Sequence, residues 1–296
     1  MRHLGIAFDI DGVLIKGKKV LPQAIRAMQR IKENKVPFVL MTNGGGTTEI
    51  NKAKELSGLL NTHIAPEQMI LAHTPMASLS SKFSKDYSEA VLILGKEGCK
   101  DAALSYGFKH PILTEEVLAT CPEIWPFRTP IKKYKPIDLN RKVGAILSFH
   151  DSQDWGRDIQ IVCDLLRTNG DLKRVVGSFR HALEGVYHRL CKKKLEYTMF
   201  GKPYKSTYDY AKRAIDVHAS RVLLHRDYES GKGEEERERR RYFGIGDNPE
   251  SDIEGANRNG WTSVLVKTGV YEGGPHEAKY LVEDVEEAVD VILSRR

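Results

Sequence analysis

Short apolar runs alternate with amphipathic segments, and this alternation limits the possible folds more than any other feature of the chain. "LGIAFD", "VPFVLM" and "MILAH" read as buried strands. Between them, "LPQAIRAMQRIKENK" and "TTEINKAKELSGLL" read as helices, the first with Ile25, Met28 and Ile31 near helical spacing. Thr47 or Thr48 is the candidate cap of the second. Strands that alternate with helices argue for an α/β class with a parallel sheet. Residues 1–83 therefore read as successive strand–helix units.

The middle of the chain has its own set of elements. "AVLILG" and "VGAILSF" read as strands, and "CKDAALSYGF" and "WGRDIQIVCDLLRTNG" as helices. The proline-rich stretch "TCPEIWPFRTPIKKYKPIDLN" reads as an irregular excursion. After "YTMFGKP" the first style resumes. "YKSTYDYAKRAIDVH" reads as a helix, "RVLLH" and "RYFGIGD" as β-rich runs, "SDIEGANRNG" as a helix with a glycine stop, "WTSVLVK" as a strand and "EDVEEAVDVILSRR" as a closing helix. The charged segment 229–241 reads as a solvated loop. Two domains follow: a core from 1–83 and 198–296, and a smaller α/β domain, 84–197, inserted into it.

Bulk properties exclude several classes. A chain of 296 residues can bury a sizeable core. No apolar run approaches the ~20 residues of a membrane span, and no signal-peptide pattern opens the chain. Cys99, Cys121, Cys163 and Cys191 form no CxxC pair and read as free thiols. The net charge of +6 is spread among interleaved acids, without the aromatic–basic platform of a nucleic-acid binder.

In a parallel α/β sheet, ligands bind beyond the carboxyl ends of the strands. Asp9 and Asp11 follow the first strand, Thr42, Asn43 and Gly44 the second, and Asp247 the run "YFGIG", with Asp252 shortly after. Taken singly, each has a plain structural reading: a strand-end turn, a flexible loop, a helix N-cap. Together they make a constellation, because clustered carboxylates suit a hard divalent cation such as Mg²⁺. A carboxylate beside that cation can attack phosphorus. The hydroxyl, amide and bare backbone of "TNGGG" can donate to phosphoryl oxygens. Lys202, in "FGKP", would be an ordinary surface lysine anywhere else; here it can neutralise phosphate charge.

"DIDGV", "TNGG", "GKP" and "GDNPESDIEGA", in this order, resemble the four motifs of the haloacid dehalogenase superfamily of phosphohydrolases. The inserted domain resembles the C2-type cap of its NagD-like class, on a Rossmann-like core. "FHDSQDWGRDIQI", "GDNPESDIEGANRNGW" and "TGVY" are similar to the cat-eye-syndrome critical region protein 5 branch, which includes fungal members. The resemblance implies Asp9 as nucleophile and metal ligand, and Asp11 as general acid and base with its backbone carbonyl on the metal. It further implies Thr42, Asn43 and Gly44 as phosphate-binding, Lys202 as the bridge between nucleophile and phosphate, and Asp247 and Asp252 as the remaining Mg²⁺ carboxylates.

Caps of this superfamily set selectivity, which directs attention to His150, Asp151, Asp154 and Trp155. Their plain reading is that an aspartate caps the following helix while Trp155 packs; their functional reading is recognition of a small phosphorylated metabolite. The leading expectation is a Mg²⁺-dependent phosphatase acting through an aspartyl-phosphate. A phosphotransferase, mutase or phospholipid-related enzyme on the same core, and a binding or assembly module with vestigial chemistry, are the alternatives. The branch implies a mitochondrial location, with the cytoplasm as alternative, and capped relatives often form homodimers.

Overall fold

A computed structural model describes residues 4–83, 89–122, 125, 133–137, 143–169, 185–189, 192–223 and 240–294. The chain forms two compact units. One comprises Met1–Asn43, Glu49–Leu71 and Gly201–Arg296, the other Gly44–Thr48 and Ala72–Phe200. Residues 72–83 and 198–200, placed with the core from the sequence, thus lie with the second unit.

The first unit is built on a parallel sheet of six strands in the order β11-β10-β9-β1-β4-β5. These are β1 (Leu4–Phe8), β4 (Phe38–Met41), β5 (Met69–Ile70), β9 (Arg241–Gly246), β10 (Thr262–Val266) and β11 (Tyr280–Val282). β1 and β4 are buried at every position, as expected of strands covered on both faces. Their side chains alternate between two clusters. Leu4, Ile6, Phe8, Phe38 and Leu40 enter one, while Ala7, Val39 and Met41 enter the other.

The first cluster is covered by α1 (Pro22–Glu33), α2 (Glu49–Leu59) and α9 (Val285–Ser294). α1 begins on Pro22, whose fixed φ suits a first helical turn, and buries Ala24, Ala27, Met28 and Ile31. Ile25, expected on that face, is instead 41% exposed. The actual stripe runs one position away and is made partly of alanines, which a search for large apolar residues passes over.

α7 (Lys205–Leu223) covers the opposite face through Tyr208, Ala211 and Ile215. It continues through Arg221–Leu223, so the start of "RVLLH" is helical rather than β. Its β-branched and leucine residues extend a helix already nucleated upstream, so local β propensity loses. A short antiparallel pair, β2 (Ile15–Lys16) and β3 (Lys19–Val20), and the strand β11 had no expectation from the sequence. No described helix is long and apolar enough to cross a membrane.

The second unit holds a three-stranded parallel sheet, β7-β6-β8, of β6 (Ala90–Leu94), β7 (Pro111–Leu113) and β8 (Val143–Ser148). α5 (Thr114–Thr120) and α6 (Trp155–Asn169) cover one face. α4 (Glu97–Ser105) covers the other. Most of the proline-rich excursion, Cys191 and residues 229–239 of the charged segment lie outside the described residues.

Candidate active site

β9, β1 and β4 are neighbours in one parallel sheet, so their carboxyl ends share an edge. The residue after each is polar: Asp247, Asp9 and Thr42. The ladder extends into two of them, since Asp9 N–H donates to Ile245 O at 2.9 Å and Thr42 N–H to Ile70 O at 2.9 Å. Pleating then sends Ile10 into the core while Asp9 and Asp11 leave it.

Asp9, Asp247 and Asp252 are buried, and each presents a carboxylate oxygen within 4.8 Å of the others. Asp11 is exposed, and its carboxylate is not part of this group. Lys202 is buried with its Nζ 2.5 Å from Asp9 Oδ1 and 2.5 Å from Asp252 Oδ1. Burial alone would lower the Lys202 pKa, but Asp252 and Asp9 more than offset it and hold the ammonium above its ordinary range. Asp9 moves the other way. Burial outweighs the attraction of Lys202, and with Asp252 and Asp247 adding repulsion its carboxyl is pushed up to about 7. Burial also raises Asp247, opposed by the Val270 N–H that donates to its Oδ2 at 2.7 Å.

Three carboxylates facing one ammonium leave an excess of buried negative charge, and every donor is a hard oxygen. That set fits a divalent cation such as Mg²⁺.

Backbone features seat these acids. Asn248, rather than an aspartate, caps the turn Pro249–Ile253, its Oδ1 accepting from Glu250 N and Ser251 N. Asp252 Oδ2 accepts from Asn248 N–H at 3.1 Å, and Tyr208 Oη donates to the Asp252 carbonyl at 3.1 Å. A Cβ on Gly12 or Gly269 would collide with the Asp247 carboxylate, and Gly12 also has φ +84°. Sequence reading missed Gly269 and Val270 as parts of the site, although "TGVY" drew attention for its resemblance.

The other expected residues fall as follows. Thr42 is buried at the end of β4. The Asn43 carboxamide is bonded at both ends to the Lys202 backbone, with Nδ2 donating to the carbonyl at 3.0 Å and Oδ1 accepting from the N–H at 2.7 Å. Gly44 belongs to the second unit, where its carbonyl accepts from Ala72 N–H at 3.3 Å. Gly45 and Gly46 pack against Phe149 and His150 at the end of β8, where added Cβ atoms would crowd them. Close packing thus accounts for those two glycines.

His150, Asp151, Asp154 and Trp155 also lie in the second unit. Asp154 Oδ1 accepts from Arg157 N–H at 3.3 Å, in the manner of a helix cap. Trp155 Nε1 donates to Ser152 O at 3.1 Å while the residue stays 44% exposed. Beneath this turn, buried Asp158 accepts from Ser152 Oγ at 2.6 Å and from Arg157 Nε at 2.7 Å.

The family model for haloacid dehalogenase-like hydrolases matches residues 6–109, and one described as HAD-hydrolase-like matches residues 199–288. The chain is 33% identical to a cardiolipin synthase (CMP-forming)/mitochondrial hydrolase fusion protein of Schizosaccharomyces pombe, over 98% of this chain and 53% of that protein. It therefore spans about half the length of that relative. It is 30% identical to a mitochondrial hydrolase of Saccharomyces cerevisiae, over 99% of this chain and 96% of that protein. Among solved structures, a glycerol phosphate phosphatase of Mycobacterium tuberculosis in complex with magnesium superposes with a TM-score of 0.62 at 16% identity, covering 97% of this chain and 76% of that one. By family match and by full-length relative, the chain belongs to the haloacid dehalogenase-like hydrolases.

Proposed function

We propose that this hydrolase is a Mg²⁺-dependent phosphatase that cleaves a small phosphomonoester through a phosphorylated Asp9. The observation that carries the reading is the Lys202 ammonium held 2.5 Å from both Asp9 and Asp252, with Asp247 in the same buried group. A fixed cation among carboxylates at strand ends is arranged for a transferring group that carries negative charge. The magnesium in the solved phosphatase relative supports the choice of ion.

Asp9, Asp247 and Asp252, with the Asp11 carbonyl, would hold Mg²⁺, which when bound neutralises charge and polarises a phosphoryl oxygen. An Asp9 carboxylate oxygen attacks phosphorus, and the bond to the leaving oxygen breaks. Asp11, exposed and outside the carboxylate group, gives that oxygen its proton, then takes one from the water that hydrolyses the aspartyl-phosphate. Thr42, with the backbone of Asn43 and Gly44, holds the phosphoryl oxygens, and Lys202 balances their charge. On the second unit, His150, Asp151, Asp154 and Trp155 are the candidates for substrate selectivity, the exposed indole offering an apolar face beside polar neighbours.

A panel of phosphate esters with Mg²⁺ tests the reading. Turnover is expected, and Asp9→Asn should reduce it by roughly 10⁴-fold. No turnover of any ester, or full activity in Asp9→Asn, would overturn it.

The fusion of one relative to a cardiolipin synthase favours a narrower version, in which the ester belongs to phospholipid head-group chemistry. Comparing vesicle-borne with water-soluble esters tests that version, and adding an alcohol acceptor separates hydrolysis from phosphotransfer. The names of both fungal relatives support a mitochondrial location, which organelle fractionation checks.

A further inference from the structure

We infer that Asn43 is a positioning residue for Lys202, acting through the lysine backbone rather than as a side-chain ligand of phosphate. This rests on the proposed role of Lys202 and adds a residue that sets its geometry.

Both ends of the Asn43 carboxamide are committed to one residue 159 positions away. Lys202 N–H can only donate and its carbonyl can only accept, so the pair is satisfied in one orientation of the amide alone. Of the two hydrogens on Nδ2, the group that might have reached a phosphate, one is already given to the Lys202 carbonyl.

The preceding peptide is held separately. Thr207 Oγ1, buried in the first turn of α7, accepts from Gly201 N–H and donates to Gly201 O, each at 2.9 Å. Thr207 and Asn43 therefore grip consecutive residues.

This grip has a clear purpose at its place in the chain. Asn43 is the last residue of the first unit before its short excursion to the second at Gly44–Thr48, and Gly201 is the first residue after the longer excursion Ala72–Phe200. A segment that re-enters a domain lacks a continuous element to set its register. A lysine adds a long, flexible side chain, yet its Nζ must reach two carboxylates at hydrogen-bond distance. Fixing the Lys202 N–H and carbonyl removes the backbone part of that freedom, and misplacing a reacting group by about 1 Å can cost on the order of 10²-fold in rate.

The test compares Asn43→Ala with Asn43→Asp. Aspartate keeps the acceptor for Lys202 N–H, gives up the donor to the Lys202 carbonyl, and would repel a phosphate bound at the same side chain. With p-nitrophenyl phosphate and Mg²⁺, Asn43→Ala should lower kcat about 10- to 100-fold with little change in KM, and Asn43→Asp should recover part of the loss. A raised KM with kcat unchanged in Asn43→Ala would overturn the inference and assign the side chain to phosphate.

A second measurement does not depend on turnover. Amide hydrogen exchange without substrate should show Lys202 N–H deprotected in Asn43→Ala and protected in Asn43→Asp, with Gly201 N–H protected in both. An unchanged Lys202 amide in Asn43→Ala ends the proposal whatever the activity. Failure of the wild-type protein to cleave any ester counts against the phosphatase reading alone, and the exchange result then decides the clamp.

Discussion

At the scale of single residues, the site is governed by opposing charge and burial. Asp9 is pushed up to about 7 because burial outweighs Lys202, so a further cation beside it would favour its charged form. Gly269 shows how closely their seats are built, since a Cβ there would collide with the Asp247 carboxylate. Gly269→Ala should weaken Mg²⁺ binding by about 10-fold or more, read by calorimetric titration, with the circular dichroism of the fold unchanged. Asp9, Lys202 and Asp247 were legible in the sequence because strand ends and motif order mark them. Gly269 was not, because its requirement is a clash with a side chain 22 residues away. Asn43 was read as a phosphate donor because no local signal ties its amide to Lys202.

At the scale of elements, α7 is tied to the amino end of β4 by His218. Its Nδ1 accepts from Phe38 N–H at 3.1 Å and lies 3.2 Å from Gln68 Nε2. Burial lowers the His218 pKa from 6.5 to about 4. The folded protein therefore binds fewer protons here than the unfolded chain. The stability is full above about pH 6.5 and is lost as pH falls from 6.5 towards 4, by roughly 3 kcal/mol in all. Urea midpoints should fall between pH 7.5 and pH 5, and His218→Gln should flatten that slope. An equal slope in both proteins would show that other groups carry it. The strand-and-helix alternation was readable here, but the end of "YKSTYDYAKRAIDVH" was not. A helix propagates past residues of weak propensity once packing supports it.

At the scale of the whole molecule, two units with separate cores divide the work. The first gathers the carboxylates and the lysine. In the second, Arg157 is 3% exposed and ion-paired to Asp158 at 2.7 Å and to Glu115 at 3.2 Å. Removing one member of such a group leaves a buried charge short of a partner. Asp158→Ala should destabilise the protein by roughly 3–5 kcal/mol in urea titration. It should also loosen the turn that carries Asp154 and Trp155, because Ser152 loses its acceptor. A change within 0.5 kcal/mol of wild type would show that the pair is not buried in solution.

The sequence by itself determined the α/β class and pointed to an insertion and to the acids at strand ends, because period, strand ends and motif order are local properties of a chain. Only the tertiary structure decided that Asp11 stands apart from the carboxylate group, that Asn43 holds the lysine backbone, and that Gly12 and Gly269 leave room for Asp247. Those outcomes depend on distances between segments far apart in sequence, and packing sets such distances only once the core of the first unit has closed.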